Sequence, residues 1–229
     1  MPAPKREFTH GTFDEAVAGE YLADEGFKTA LITCFRLLGT AFVASPKTED
    51  FTHAIGALRS INLPRDWPFG DEEELSVAAE LFAKGAAEED RAELVRVYTR
   101  LFRGPHALPA PPWASVYMDR DQVMYGWTWN ELLAWMRANG VTATYEENDP
   151  EDHIGRLMLM AANVTEERPE LLCELLADHI LCFSDHFLGQ FNERAESPTY
   201  TAVGILTRTT LADVQGCLAI TPAQRRFFR

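Results

Sequence analysis

Tyr98-Thr99-Arg100-Leu101-Phe102-Arg103-Gly104-Pro105-His106-Ala107-Leu108-Pro109-Ala110-Pro111-Pro112-Trp113-Ala114-Ser115-Val116-Tyr117 joins a helical stripe to a stiff, aromatic-studded loop. Leu94, Val97, Tyr98 and Leu101 recur at the i, i+3, i+4, i+7 spacing of one helix face. Gly104-Pro105 stops that helix, because proline has no N–H and disfavours helical geometry in the residue before it. Pro109, Pro111 and Pro112 then hold the chain extended and present Trp113, Val116 and Tyr117 at small entropic cost. The run holds no catalytic grouping, and a preordered apolar surface suits peptide binding better than bond breaking.

Outward from this run the chain reads as helix after helix. Phe27, Leu31, Cys34, Phe35, Leu38 and Phe42 form one stripe, and Leu75, Ala78, Ala79 and Phe82 another. Thr128 and Glu131 predict a capping box for a helix carrying Trp129, Leu132, Leu133 and Met136, ended by Gly140. Asp149-Pro150 predicts the start of the next helix, with Ile154, Leu157, Met158 and Ala161 on its core face. Thr165 is expected to open a longer helix through Leu172, Leu175, Leu176, His179, Phe183, Phe187 and Phe191, and Ser197-Pro198 the last. Val141 to Tyr145 alone hints at a strand. The expected architecture is an all-α, single-domain helical bundle over residues 1–229, with a loose tail over about 1–14 and a proline-rich hinge loop at 104–117.

Composition narrows the function. With 229 residues and 46% hydrophobic content the chain can bury one ample core, roughly 70–75% of its unfolded surface. Its longest purely apolar run, Leu157 to Ala162, is far short of the roughly 20 residues that span a bilayer, so no stable membrane insertion is expected. Lys5-Arg6 is followed by polar residues where a secretory signal needs its apolar stretch. A net charge of −14 opposes nucleic-acid binding and would favour and speed capture of a basic partner. Cys34, Cys173, Cys182 and Cys217 form no CxxC, which fits buried, reduced thiols in a cytoplasmic chain.

Chemistry-bearing patterns are sparse. His179, Cys182 and His186 share a helical stripe that could present zinc ligands, but that stripe is also the apolar face, which favours core packing. Asp-His pairs occur at 152–153, 178–179 and 185–186, whereas metal-dependent HD phosphohydrolases need the order His-Asp, which is absent. Neither GxxxxGK[ST] nor GxSxG is present. No catalytic residue, metal site or cofactor is assigned. A metal-dependent hydrolase or cofactor-handling enzyme built on the Asp-His pairs is the alternative reading.

Three segments resemble the TorD/DmsD family, cytoplasmic chaperones that bind twin-arginine signal peptides of molybdenum-containing reductases. They are Tyr98, Leu101, Phe102, Gly104, Pro105; then Pro111, Pro112, Trp113, Ser115, Val116, Tyr117; then Asn148, Pro150, Glu151, Asp152, His153. The resemblance runs over roughly residues 94 to 229, with Tyr98 and His106 standing where tryptophans are usual. It is nearest to the dimethyl sulfoxide reductase branch. It implies an all-α fold, no enzymatic activity, and a partner that is the twin-arginine signal peptide of a molybdopterin-containing reductase precursor, later released to the twin-arginine translocase. It also implies a signal-peptide site at Tyr98, Leu101, Phe102, His106, Trp113, Ser115, Tyr117, Asp152 and His153. Taken by themselves, Asp149 to His153 favour a helix start, with Asp149 as cap and the acids complementing the helix dipole; the resemblance shifts the balance toward a site. Both readings hold together if Asp149 caps while Asp152 and His153 face a groove. That groove is expected between the 94–103 helix, the proline loop and the 150–163 helix, with Asp152 accepting an arginine of the peptide.

Overall fold

The structure is a computed structural model that describes residues 9–142 and 149–229. Its order is β1 (Thr12–Phe13), α1 (Glu15–Ala23), α2 (Glu25–Val43), α3 (Glu49–Ser60), α4 (Leu63–Asp66), α5 (Glu72–Glu88) and α6 (Arg91–Tyr98). Then follow α7 (Ala114–Met118), α8 (Trp127–Asn139), α9 (Ile154–Glu167), α10 (Leu172–Leu175), α11 (Leu181–Arg194), α12 (Pro198–Cys217) and β2 (Ile220–Thr221). The chain is all-α apart from the antiparallel β1–β2 pair, which sets Thr12 opposite Thr221 and Phe13 opposite Ile220.

One hydrophobic cluster runs through the bundle. Helix α2 packs principally on α9, and α12 on α5 and α11. The α2–α9 crossing is close because it is made by glycines: a Cβ on Gly155 would lie 2.7 Å from Phe42 Cβ and 2.8 Å from the Gly39 carbonyl oxygen. By length and hydropathy α2 could cross a membrane. Here Leu31, Cys34, Phe35, Leu38 and Phe42 on one of its faces are buried in the core instead.

Several boundaries differ from the sequence reading. Helix α8 is not opened by a Thr128–Glu131 capping box. Its N-cap is Gly126, and Asp119, buried from nine residues upstream, accepts from the Thr128 N–H at 3.2 Å and the Thr128 hydroxyl at 2.7 Å. Gly140 does end it, at φ 65°, where a side chain would be strained. Helix α9 starts at Ile154 rather than Asp149-Pro150, with His153 as cap. Thr165 lies inside α9 and donates to the Ala161 carbonyl; the following helical stretch begins at Pro169. Most of the Val141 to Tyr145 stretch falls outside the described residues.

The stripe through Leu94 and Leu101 is not one regular helix: α6 widens into a π-turn over Thr99–Arg103, and a second π-turn spans Leu176–Ile180. The 104–117 segment is not a uniform loop, since Ala114–Met118 is helical and residues 110–118 are buried. Of the tail expected to be loose, residues 9–14 are tied down. His10 Nδ1 lies 2.7 Å from Asp178, the Gly11 N–H donates to the same carboxylate at 2.6 Å, and Asp14 caps α1. Residues 1–8 lie outside the described part.

Candidate peptide-binding site

The two motif segments around Trp113 and His153, far apart in sequence, are stitched together by backbone. Trp113 and His153 form an isolated antiparallel bridge, the Ala114 N–H donates to the Asp152 carbonyl at 3.1 Å, and the Ile154 N–H donates to the Pro112 carbonyl at 2.9 Å. Proline fits here because Pro112 needs only to accept. The Asp152 carboxylate accepts the Ser115 N–H at 2.8 Å, on the first turn of α7. His153 Nδ1 accepts the Gly155 N–H at 3.0 Å and caps α9. An imidazole that accepts at Nδ1 is neutral, and burial lowers its pKa to about 3.

Aromatic contacts draw the first segment in. Phe102 lies 5.2 Å from Tyr98 and 6.2 Å from His153, and Trp113 meets His153 edge-on at 5.8 Å. The Tyr98 hydroxyl donates to the Val43 carbonyl at 3.0 Å. Tyr117 packs edge-on against His186 and Phe187.

Tyr98, Phe102, Trp113, Ser115, Asp152 and His153 thus gather at one place, beside Tyr117 on α7. Nearly all are buried: Leu101, Ser115 and Tyr117 at 0%, Asp152 at 1%. The side chains expected to line an open groove instead face inward, because the loop folds onto α9 and closes over them. Leu101 is a core residue. His106 is exposed, and among the described residues no hydrogen bond or ring contact joins it to the cluster. Asp149 does not cap; it pairs with Arg103 at 3.0 Å. Glu151 accepts the Trp129 indole N–H at 2.6 Å.

Four buried polar atoms in the cluster have no hydrogen-bond partner among the described residues: Trp113 Nε1, Ser115 Oγ, Tyr117 Oη and Asp152 Oδ1. Burial pushes the Asp152 carboxyl up to about 6, against the pull of the Ser115 N–H.

The second group of titratable residues lies at the α8–α11 end. His179 packs on Trp135 at 5.7 Å, with its pKa lowered to about 4 by burial, and the Cys182 thiol donates to the Asp178 carbonyl. His186 stacks on Phe227. The stripe that could have presented zinc ligands is engaged in ring stacking and a main-chain bond, and no group of three or more His, Cys, Asp or Glu able to hold a metal occurs among the described residues. All four cysteines are free; Cys34, Cys173 and Cys182 are buried, and burial raises their thiols to about 12, 11 and 12. The sequence reading missed Asp119 and the whole of residues 218–229.

Residues 70–191 match the family model described as nitrate reductase delta subunit. The chain is 40% identical over 195 residues to the Tat proofreading chaperone DmsD of Salmonella typhimurium, covering 85% of this chain and 93% of that protein. The chain belongs to the TorD/DmsD family. The probable Tat proofreading chaperone DmsD of Haemophilus influenzae is 34% identical over 198 residues, 85% of this chain and 94% of its own length. The chaperone protein TorD of Ferrimonas balearica matches at 28% over 72 residues, 31% of this chain and 33% of its own. The family is one of chaperones, not enzymes, and these relatives give the hydrolase alternative no support.

Proposed function

We propose that this chaperone binds, in the cytoplasm, the twin-arginine signal peptide of a molybdopterin-containing reductase precursor of the dimethyl sulfoxide reductase type. It holds the precursor until its cofactor is inserted and then releases it to the twin-arginine translocase. The observation that carries this reading is the cluster where Trp113, Ser115 and Tyr117 meet Asp152 and His153, with its four unpartnered buried polar atoms. Such atoms are costly unless a partner arrives. Asp152 offers its unpartnered Oδ1 to a guanidinium, Trp113 and Tyr117 offer donors and apolar rings, and the chain's net charge of −14 attracts a basic peptide. Tyr98, Leu101, Phe102, Ser115, His153 and the exposed His106 complete the proposed site, and the proline loop must lift for a peptide to reach it.

Calorimetric titration with a synthetic twin-arginine peptide, and with the same peptide carrying two lysines, tests this. Binding of the arginine peptide with marked loss for the lysine one is expected, since lysine cannot make the planar two-point contact. Equal affinity for both, or no binding of either, would refute the reading.

A further inference from the structure

Residues 222–229, Pro-Ala-Gln-Arg-Arg-Phe-Phe-Arg, lie outside helix and strand yet are fastened along their length. The Ala223 N–H donates to the Ala177 carbonyl at 3.0 Å, and the Phe228 N–H to the Tyr117 carbonyl at 2.8 Å. Gln122 Nε2 donates to the Phe228 carbonyl at 2.8 Å, and Arg229 Nη2 to the Leu108 carbonyl at 2.9 Å. His186 Nε2 donates to the Arg229 main-chain oxygen at 2.7 Å, and Phe227 stacks on the His186 ring at 4.2 Å with 5° between planes. Two of the acceptors, Tyr117 and Leu108, belong to the proline-loop run itself. The segment therefore works as a strap across the edge of the proposed site.

Its side chains divide by chemistry. Arg225 is turned inward, its side chain 5% exposed, with Nη1 3.6 Å from Glu131 Oε2. Its charge is also felt at His10 and His179, whose neighbour Asp178 is itself buried. Arg226 lies over the Phe228 ring at 4.9 Å and faces solvent; Phe227 keeps 37% of its surface exposed. So Arg225 sits in an acidic slot beside Glu131, while Phe227 lies on a histidine ring and Phe228 is held by a main-chain acceptor. Main-chain bonds of this kind accept many sequences, while an acidic slot and an aromatic shelf select arginine and phenylalanine.

We propose that the shelf formed by Glu131, Tyr117, Gln122 and His186 is a docking surface for an extended peptide bearing an arginine with apolar residues shortly after it. The chain's own residues 222–229 occupy it as a tethered competitor that cargo displaces. This rests on the signal-peptide reading above and adds to it a second docking surface and a built-in competitor. A tethered segment faces its shelf at an effective concentration on the order of millimolar. If the free octapeptide binds with a dissociation constant of about 0.2 mM, the tether lowers cargo affinity roughly fivefold.

The test compares twin-arginine peptide affinity for the full chain and for the triple variant Phe227→Ala, Phe228→Ala, Arg229→Ala, with circular dichroism and thermal melting to show that both are folded. Phe227→Ala alone, which removes only the His186 stack, serves if the triple variant does not fold. Affinity should rise about fivefold in the triple variant, and a synthetic 222–229 octapeptide should compete with the twin-arginine peptide on it. Unchanged or weaker binding by a folded variant, with no competition from the octapeptide, overturns the competitor role and leaves the signal-peptide reading standing. Failure of both proteins to bind any twin-arginine peptide removes that reading, and cargo displacement with it.

Discussion

Asp152→Asn keeps the shape of a side chain that is 1% exposed and removes its charge. In the folded protein burial raises the carboxyl from 3.8 to about 6. About two pH units correspond to roughly 3 kcal/mol by which the ionised form is disfavoured on folding. The Ser115 N–H bond becomes a bond to an amide oxygen rather than a carboxylate, which takes back about 1 kcal/mol. Net stabilisation at pH 7.5 should therefore be about 2 kcal/mol, a melting shift of roughly 4–8 °C for a chain of this size. The pH window follows from the sign of the shift. Because the folded pKa lies above the unfolded one, the penalty is absent below about 3.8 and complete above about 6. The wild-type protein loses this contribution as pH rises through that window, and the gap between the two proteins closes toward pH 4. Twin-arginine peptide binding should meanwhile fall by about 2 kcal/mol or more if the arginine is desolvated against Asp152. Urea unfolding at pH 7.5 and 4.5, with calorimetry at pH 7.5, reads both quantities. A variant less stable than wild type at pH 7.5 would show that the fold needs the charge; unchanged peptide affinity would remove Asp152 from recognition.

His153→Asn retains an acceptor for the Gly155 N–H while removing a group held neutral down to about pH 3. A depressed base withholds stability as pH falls below its unfolded value of 6.5, at about 1.4 kcal/mol per unit, so between pH 6.5 and 5 the variant should lose roughly 2 kcal/mol less than wild type. Equal losses in parallel urea titrations would exclude His153 as the source. Leu101→Ala, at a site fully removed from solvent, should cost about 2–5 kcal/mol of stability. A change below about 0.5 kcal/mol would place Leu101 at a surface rather than in the core.

Helices whose ends carry their own chemistry were legible. Ser197-Pro198 was read directly and Ser197 caps α12; Asp14, Asp71 and Asp90 carry the same local signal and cap the helices that follow, though the sequence reading did not use them. Legibility failed where a cap comes from elsewhere or where a local signal is spent on another contact. Thr128 looks like a cap but is itself capped by Asp119; Asp149 has the right residues after it but pairs with Arg103; Thr165 bonds back within its own helix. The π-turns at 99–103 and 176–180 add a residue to the turn, which rotates the apolar stripe and hides the break from a 3.6-residue period. The motif segments were visible one at a time, but not the Trp113–His153 bridge that joins them, since backbone pairing at that distance leaves no local trace. Their burial was equally invisible: an aromatic loop reads the same whether it faces water or folds back on α9.

The Asp178 carboxylate, in the second π-turn, holds the Gly11 amide from 167 positions away, and β1–β2 closes a still wider ring. Ring closures of this span add entropy cost only logarithmically, but they cannot precede the core they rest on. They belong to the last steps of assembly and the first of opening. Amide exchange at Gly11, Ala223 and Phe228 should then run through a shared partial opening, ahead of the exchange of α9 and α12. A peripheral closure of this kind lets the 222–229 strap leave and return while the helices beneath stay packed.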